Sequence, residues 1–237
     1  MVFFYMIGAL CVASSVAKAY FDTKKAVKPE FVAKLLASVS FMFCAVYAIY
    51  NNPQSVEYGI FILCALIFGT IGDILLCLDG FFPDNESYHK FFNTVGTAIF
   101  FIGHVMYMTL LFVYAPISNT PFLLLALPVL PLVMLALILT NKITLPKIKS
   151  YLMVVYFAVA GGVIIGAVSF LLNSRGATVG WLVLAASVLF AFSDIFLGLF
   201  HYCPSLKISE KVAPYIVMPT YCIAQVLYAL SIYYIAY

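Results

Sequence analysis

LFAFSDIFLGLF, residues 189–200, is an apolar and aromatic run broken once, by Ser193 and Asp194. The run suits hydrocarbon, yet a carboxylate placed there costs roughly 2.5–3.5 kcal/mol on insertion scales, so it must face a partner or a cavity and not lipid. Similar apolar stretches recur along the whole chain, which is 65% hydrophobic, only 9% charged and has a mean hydropathy of +1.12. Soluble globular domains do not have this composition. A helix needs about 20 apolar residues to cross about 30 Å of hydrocarbon. Eight such spans are drawn, at 2–20, 31–50, 58–78, 91–114, 121–139, 150–172, 178–200 and 214–236. Lipid leaves no partner for open backbone groups, so the expected fold class is an all-α membrane protein of eight transmembrane helices. Residues 1–237 are expected to form one polytopic domain with short links.

Four prolines, Pro121, Pro128, Pro131 and Pro219, fall in or beside spans, where neighbouring helices can satisfy the carbonyls they free. The six cysteines show no C-x-x-C spacing and read as small apolar residues, so neither a zinc ribbon nor a disulfide framework is expected. The first span has no basic segment before it and is expected to stay as a helix.

The basic residues set an orientation. Lys18, Lys24, Lys25, Lys28 and Lys34 lie around the first link, Lys90 in the third, Lys142, Lys147 and Lys149 in the fifth, and Lys207 and Lys211 in the seventh. Arg175 lies on the other side. The asymmetry predicts cytoplasmic odd-numbered links and two exoplasmic termini. The net charge of +3 then reflects topology and anionic headgroups, and nucleic acid is not expected as a partner. An endoplasmic reticulum membrane and a bacterial inner membrane fit this pattern equally.

The chain also repeats itself. GDILLCL (72–78) lies on SDIFLGL (193–199) at a shift of 121 residues, matching Asp73 to Asp194. The same shift lays FIGHVMY (101–107) on CIAQVLY (222–228), pairing His104 with Gln225 and Tyr107 with Tyr228. An even number of spans per half predicts a parallel four-plus-four pseudo-repeat, with halves near 1–118 and 119–237 and a site at their interface.

Asp73 and Asp194 lie at a similar depth, about 9–10 Å from the cytoplasmic ends of their spans at 1.5 Å per residue. If both face one cavity, desolvation and mutual repulsion give a protonated acid beside an ionised base. The plainer alternative is that each aspartate bonds a neighbouring helix through hydroxyls or amides. His104, counted from Phe91, is about 20 Å from the cytoplasmic side, higher than the aspartates. Lys34 is expected to snorkel to headgroups, or else to point inward as a counter-ion. Asp79, Asp84, Glu86, His89 and His201 read as solvated. Three histidines without metal-ligand spacing do not suggest a zinc site, and no cofactor is expected.

Taken in order, LIFGTIGDILL, FFNTVGTAIFFIGHVMY, LFAFSDIFLGL and TYCIAQVLYALS resemble the YhhN-like lysoplasmalogenase family of eight-span membrane proteins. The likeness runs from about Lys34 onward. It implies hydrolysis of the vinyl ether of lysoplasmalogens, a class of lysophospholipid, to a fatty aldehyde and glycerophosphoethanolamine or glycerophosphocholine. By the resemblance, Asp73 and Asp194 are catalytic, and Lys34, His104, Tyr107, Ser193, Tyr221 and Gln225 bind substrate. The family's Lys-Pro pair on the second span is absent from KLLASVSF, and Lys34 is preferred to Lys28 as its basic residue. Its Tyr-Tyr pair on the eighth span is Tyr221-Cys222 here. Vinyl ethers hydrolyse through an oxocarbenium ion, as glycosides do between paired carboxyl groups. A proton-coupled transporter or flippase, using the same titratable pair without cleaving a bond, and a lipid-binding scaffold are the rival readings.

Overall fold

The computed structural model describes residues 1–116, 120–140, 147–203 and 207–235, with the side chains of 147–150 and 202 left aside. Eight α-helices make it up: α1 (Val2–Thr23), α2 (Val27–Asn51), α3 (Val56–Leu78), α4 (Glu86–Tyr114), α5 (Val129–Leu139), α6 (Lys147–Asn173), α7 (Thr178–Tyr202) and α8 (Ala213–Tyr234). Among the described residues there are eight helical segments long and apolar enough to cross a membrane. The chain is a multi-pass membrane protein.

Local chemistry sets the ends. Asn85 caps α4, its side chain accepting from the amides of Ser87 and Tyr88, with Glu86 in the first turn where the helix dipole favours a negative charge. The tight turn between α6 and α7 uses left-handed backbone at Arg175 (φ 51°) and Gly176 (φ 77°), and the Gly176 amide reaches back to the Leu171 carbonyl. Links this short force α6 and α7 to run antiparallel as neighbours.

Two sequence boundaries change. The span expected at 121–139 is not one α-helix: Pro121–Ala126 form a 3-10 helix and α5 begins only at Val129. Pro121, Pro128 and Pro131 remove three amide donors within eleven residues, so a regular ladder cannot form across that stretch. α5 packs on α6 and is mostly exposed. The other change is α4, which begins at Glu86 and not near Phe91. At 29 residues it is about 44 Å long, more than the hydrocarbon needs, and residues 86–91 are exposed.

The α3–α4 and α7–α8 pairs are the most extensive helix contacts together with α1–α2. α2 also packs on α8, and α6 packs on α4. The contacts depend on small residues. A Cβ on Gly103 would lie 3.2 Å from the Ala65 carbonyl oxygen, and one on Gly72 would lie 3.1 Å from that of Gly96. Without a hydrophobic drive between helices in lipid, such close approach and interhelical hydrogen bonds hold the bundle. Examples are Tyr58–Ser231 at 2.9 Å and Ser187–Tyr228 at 2.7 Å.

Candidate functional site

Asp73 lies on α3 where that helix faces α2 and α8. Lys34 of α2 places Nζ 2.8 Å from Asp73 Oδ1. Ser38, one turn further along α2, donates to Oδ2 at 3.1 Å, and Tyr221 of α8 donates to the same oxygen at 3.0 Å. Gly69 makes the last bond possible, since a Cβ there would stand 3.2 Å from the Tyr221 hydroxyl. Lys34 Nζ also sits 4.6 Å from the centroid of the Tyr221 ring. Lys34 is 6% and Asp73 4% exposed. The expected snorkelling of Lys34 is therefore corrected: a buried carboxylate offers the ammonium a better partner than distant headgroups, and each ion offsets the burial of the other. Lys28 is exposed, away from this pair.

Asp194 lies on α7 where it faces α4 and α6. His104 Nε2 of α4 is 2.8 Å from Asp194 Oδ2, and Tyr156 of α6 donates to that oxygen at 2.7 Å. Asp194 Oδ1 is 3.3 Å from Ser193 Oγ, whose nearer acceptor is the Phe190 carbonyl at 2.8 Å. The other imidazole nitrogen, Nδ1, is 3.2 Å from the Phe100 carbonyl and donates to it. With Nδ1 protonated, the 2.8 Å contact between Nε2 and Oδ2 requires a further proton, carried by one of the two. The pair is either imidazolium with carboxylate or imidazole with carboxylic acid.

The height mismatch expected for His104 disappears. His104 Nε2 is 2.8 Å from Asp194 Oδ2, so the two meet at one level, and a count of residues from Phe91 did not measure depth in the bundle. The expectation of two carboxylates in mutual repulsion is also corrected. No hydrogen bond or ion pair joins Asp73 to Asp194 among the described residues, and each has its own nitrogen partner. Two electroneutral pairs avoid the cost of crowding two bare carboxylates in low dielectric. Aromatic rings fill the space between them. Phe100, Phe190 and Tyr221 stand 5.6–5.8 Å apart centroid to centroid, and His104 stacks on Phe190 at 4.2 Å.

Tyr107 and Gln225, matched in the sequence to Tyr228 and His104, bond to each other, with the Tyr107 hydroxyl donating to Gln225 Oε1 at 2.8 Å. Tyr107 also stacks on Tyr228 at 4.1 Å. They form a layer one turn beyond His104. Asp84, Glu86, His89 and His201 are exposed, and Asp79 pairs with His89 at 2.7 Å at the bundle edge. Among the described residues, no three His, Cys, Asp or Glu side chains stand together as a metal site requires.

Ser38 and Tyr156 were not singled out in the sequence. Ser38 follows Lys34 by one helical turn and shares its face. Tyr156 is one residue from the position that the shift of 121 assigns opposite Lys34. These spacings were the available signals.

A family model, described as the YhhN family, matches residues 30–232, and the chain belongs to that family. No curated protein and no solved structure matches it.

Proposed function

From YhhN family membership as the premise, we propose that this protein is an intramembrane hydrolase that cleaves the vinyl ether of lysoplasmalogens to a fatty aldehyde and a glycerophosphodiester. The observation that carries the reading is the pair of carboxylates inside the bundle, Asp73 buried and Asp194 partly buried, with unlike partners. Asp73 is bonded by an ammonium and two hydroxyl donors. Asp194 shares a proton with His104. One carboxylate is thus tied to a lysine, and the other belongs to a dyad that can give a proton up.

The chemistry divides accordingly. The dyad proton adds to the β-carbon of the vinyl ether, with the C=C electron pair forming the new C–H bond and leaving an oxocarbenium ion. The deprotonated dyad stabilises that cation at contact and the Asp73 carboxylate, beyond the aromatic rings, from a distance in a water-poor interior. A water oxygen then bonds to the cationic carbon, and the water's proton returns to the dyad. The hemiacetal so formed loses its hydroxyl proton as its C–O bond to glycerol breaks, the glycerol oxygen taking a proton, and the aldehyde departs. A single-chain lipid reaches such a site from the bilayer, with Lys34 near its phosphate. Tyr107 and Gln225 are a layer away and support the aromatic wall.

The test uses purified protein in detergent with lysoplasmenylethanolamine. Aldehyde release is expected, and is expected to fall at least 100-fold in Asp73→Asn and in Asp194→Asn at equal folded protein. Release surviving either change removes that residue from the mechanism. Flux driven by a pH gradient in liposomes, with no bond cleaved, replaces the hydrolase reading with a carrier.

A further inference from the structure

Each of the two carboxylates has a nitrogen partner and a tyrosine hydroxyl. Asp73 takes its nitrogen, Lys34, from α2 and its tyrosine, Tyr221, from α8. Asp194 takes its tyrosine, Tyr156, from α6 and its nitrogen, His104, from α4. By the repeat, α2 corresponds to α6 and α4 to α8. The two sites therefore have one build, with the second and fourth helices exchanging roles.

The Tyr156 hydroxyl is 2.7 Å from Asp194 Oδ2 and 3.4 Å from His104 Nε2, so it flanks the proton held between them. Asp194 Oδ1, by contrast, competes with a nearer carbonyl for the Ser193 hydrogen. When the dyad proton leaves, His104 keeps its Nδ1 hydrogen on the Phe100 carbonyl and Nε2 becomes a bare acceptor. Oδ2 then loses its His104 donor and keeps Tyr156. We propose that Tyr156 is a positioning residue for the hydrolysis: it fixes the plane of the Asp194 carboxyl against His104 and holds the negative charge left when the proton moves to carbon. This rests on the hydrolase reading. The step balances: the N–H or O–H bond of the dyad breaks, a C–H bond forms at the β-carbon, and the charge on Asp194 is met by the Tyr156 O–H.

Tyr156→Phe removes one oxygen and keeps a ring that packs on His104 at 5.0 Å and Phe101 at 6.0 Å. The variant is expected to lose ten-fold or more in kcat with KM within about two-fold, because the Tyr156 bond, present in the resting site, counts for more once the shared proton has left Asp194. Turnover in D2O, with the aldehyde reduced at once to its alcohol, places one deuterium at the former β-carbon. A fixed dyad delivers it to one face; Tyr156→Phe is expected to lose much of that facial preference. Tyr156→Leu, which also empties ring space, serves to show what a packing defect alone does. Wild-type kcat and facial preference in Tyr156→Phe overturn the proposal, as does a loss of activity that only follows the amount of folded protein. Failure of the wild type to release aldehyde overturns the hydrolase reading and this proposal with it.

Discussion

Lys34 and Asp73 stabilise each other only as a pair. Removing one partner of a buried ion pair leaves the other charge uncompensated, typically costing about 3–5 kcal/mol, whereas replacing both with neutral groups of similar volume is near neutral. Lys34→Met alone is therefore expected to lower the thermal unfolding midpoint markedly, and Lys34→Met with Asp73→Asn to recover most of it. Aldehyde release is expected to be lost in both. A double variant as unstable as the single one would assign the loss to packing of the lysine stem. At this scale the aspartates were legible in the sequence because a charge in an apolar run has no bland explanation. Lys34 was less so, since a lysine near a span end has two good outcomes, headgroups or an inward partner. Tyr156 was not legible: tyrosine is common in membrane helices, and only the proximity of α7 shows where its hydroxyl goes.

The helices position these groups through close backbone approach. Gly103 precedes His104, and any side chain there meets the Ala65 carbonyl of α3 and cannot push it aside as it would a flexible side chain. Gly103→Val is expected to separate α3 from α4 and cost about 1–3 kcal/mol, as overpacking does. Because α4 carries His104 and α3 carries Asp73, activity is expected to fall by more than the stability loss explains. Thermal unfolding measured beside aldehyde release checks this; full activity in a stable Gly103→Val protein would show that the α3–α4 crossing does not set the site. The apolar runs were readable in the chain as helix signals. The overhang of α4 was not, since hydropathy marks where a helix can be buried and not where it stops. The break before α5 follows from three prolines whose effect on a span depends on what packs around it, and α5 has little beside α6.

Along the chain, the lysines fall at or near the odd-numbered links and Arg175 in the sixth. Lys25 and Arg175 are both exposed in tight turns and make suitable reporters. In a chain with its own cysteines replaced, Lys25→Cys is expected to react with an impermeant maleimide from the cytoplasmic face only, and Arg175→Cys from the opposite face only. Labelling in the reverse sense would invert the topology and move both carboxylates to the other leaflet. The sequence by itself determined the all-helical membrane fold, the eight crossings and the two buried acids, because lipid has no hydrogen bonds to give and every exception to apolarity stands out. It also displayed two matches at one shift of 121 residues, since covalent spacing survives in the chain whatever the packing. Only the tertiary structure decided that the acids are apart, Asp73 held by Lys34 and Asp194 by His104 and Tyr156, with aromatic rings between. Lys34 and Tyr156 come from the helix before each acid's own, whereas His104 reaches Asp194 from α4, 90 residues back in the chain. Which side chain neutralises a buried charge is settled by the few ångströms over which such a bond acts, and no spacing along a chain records that distance.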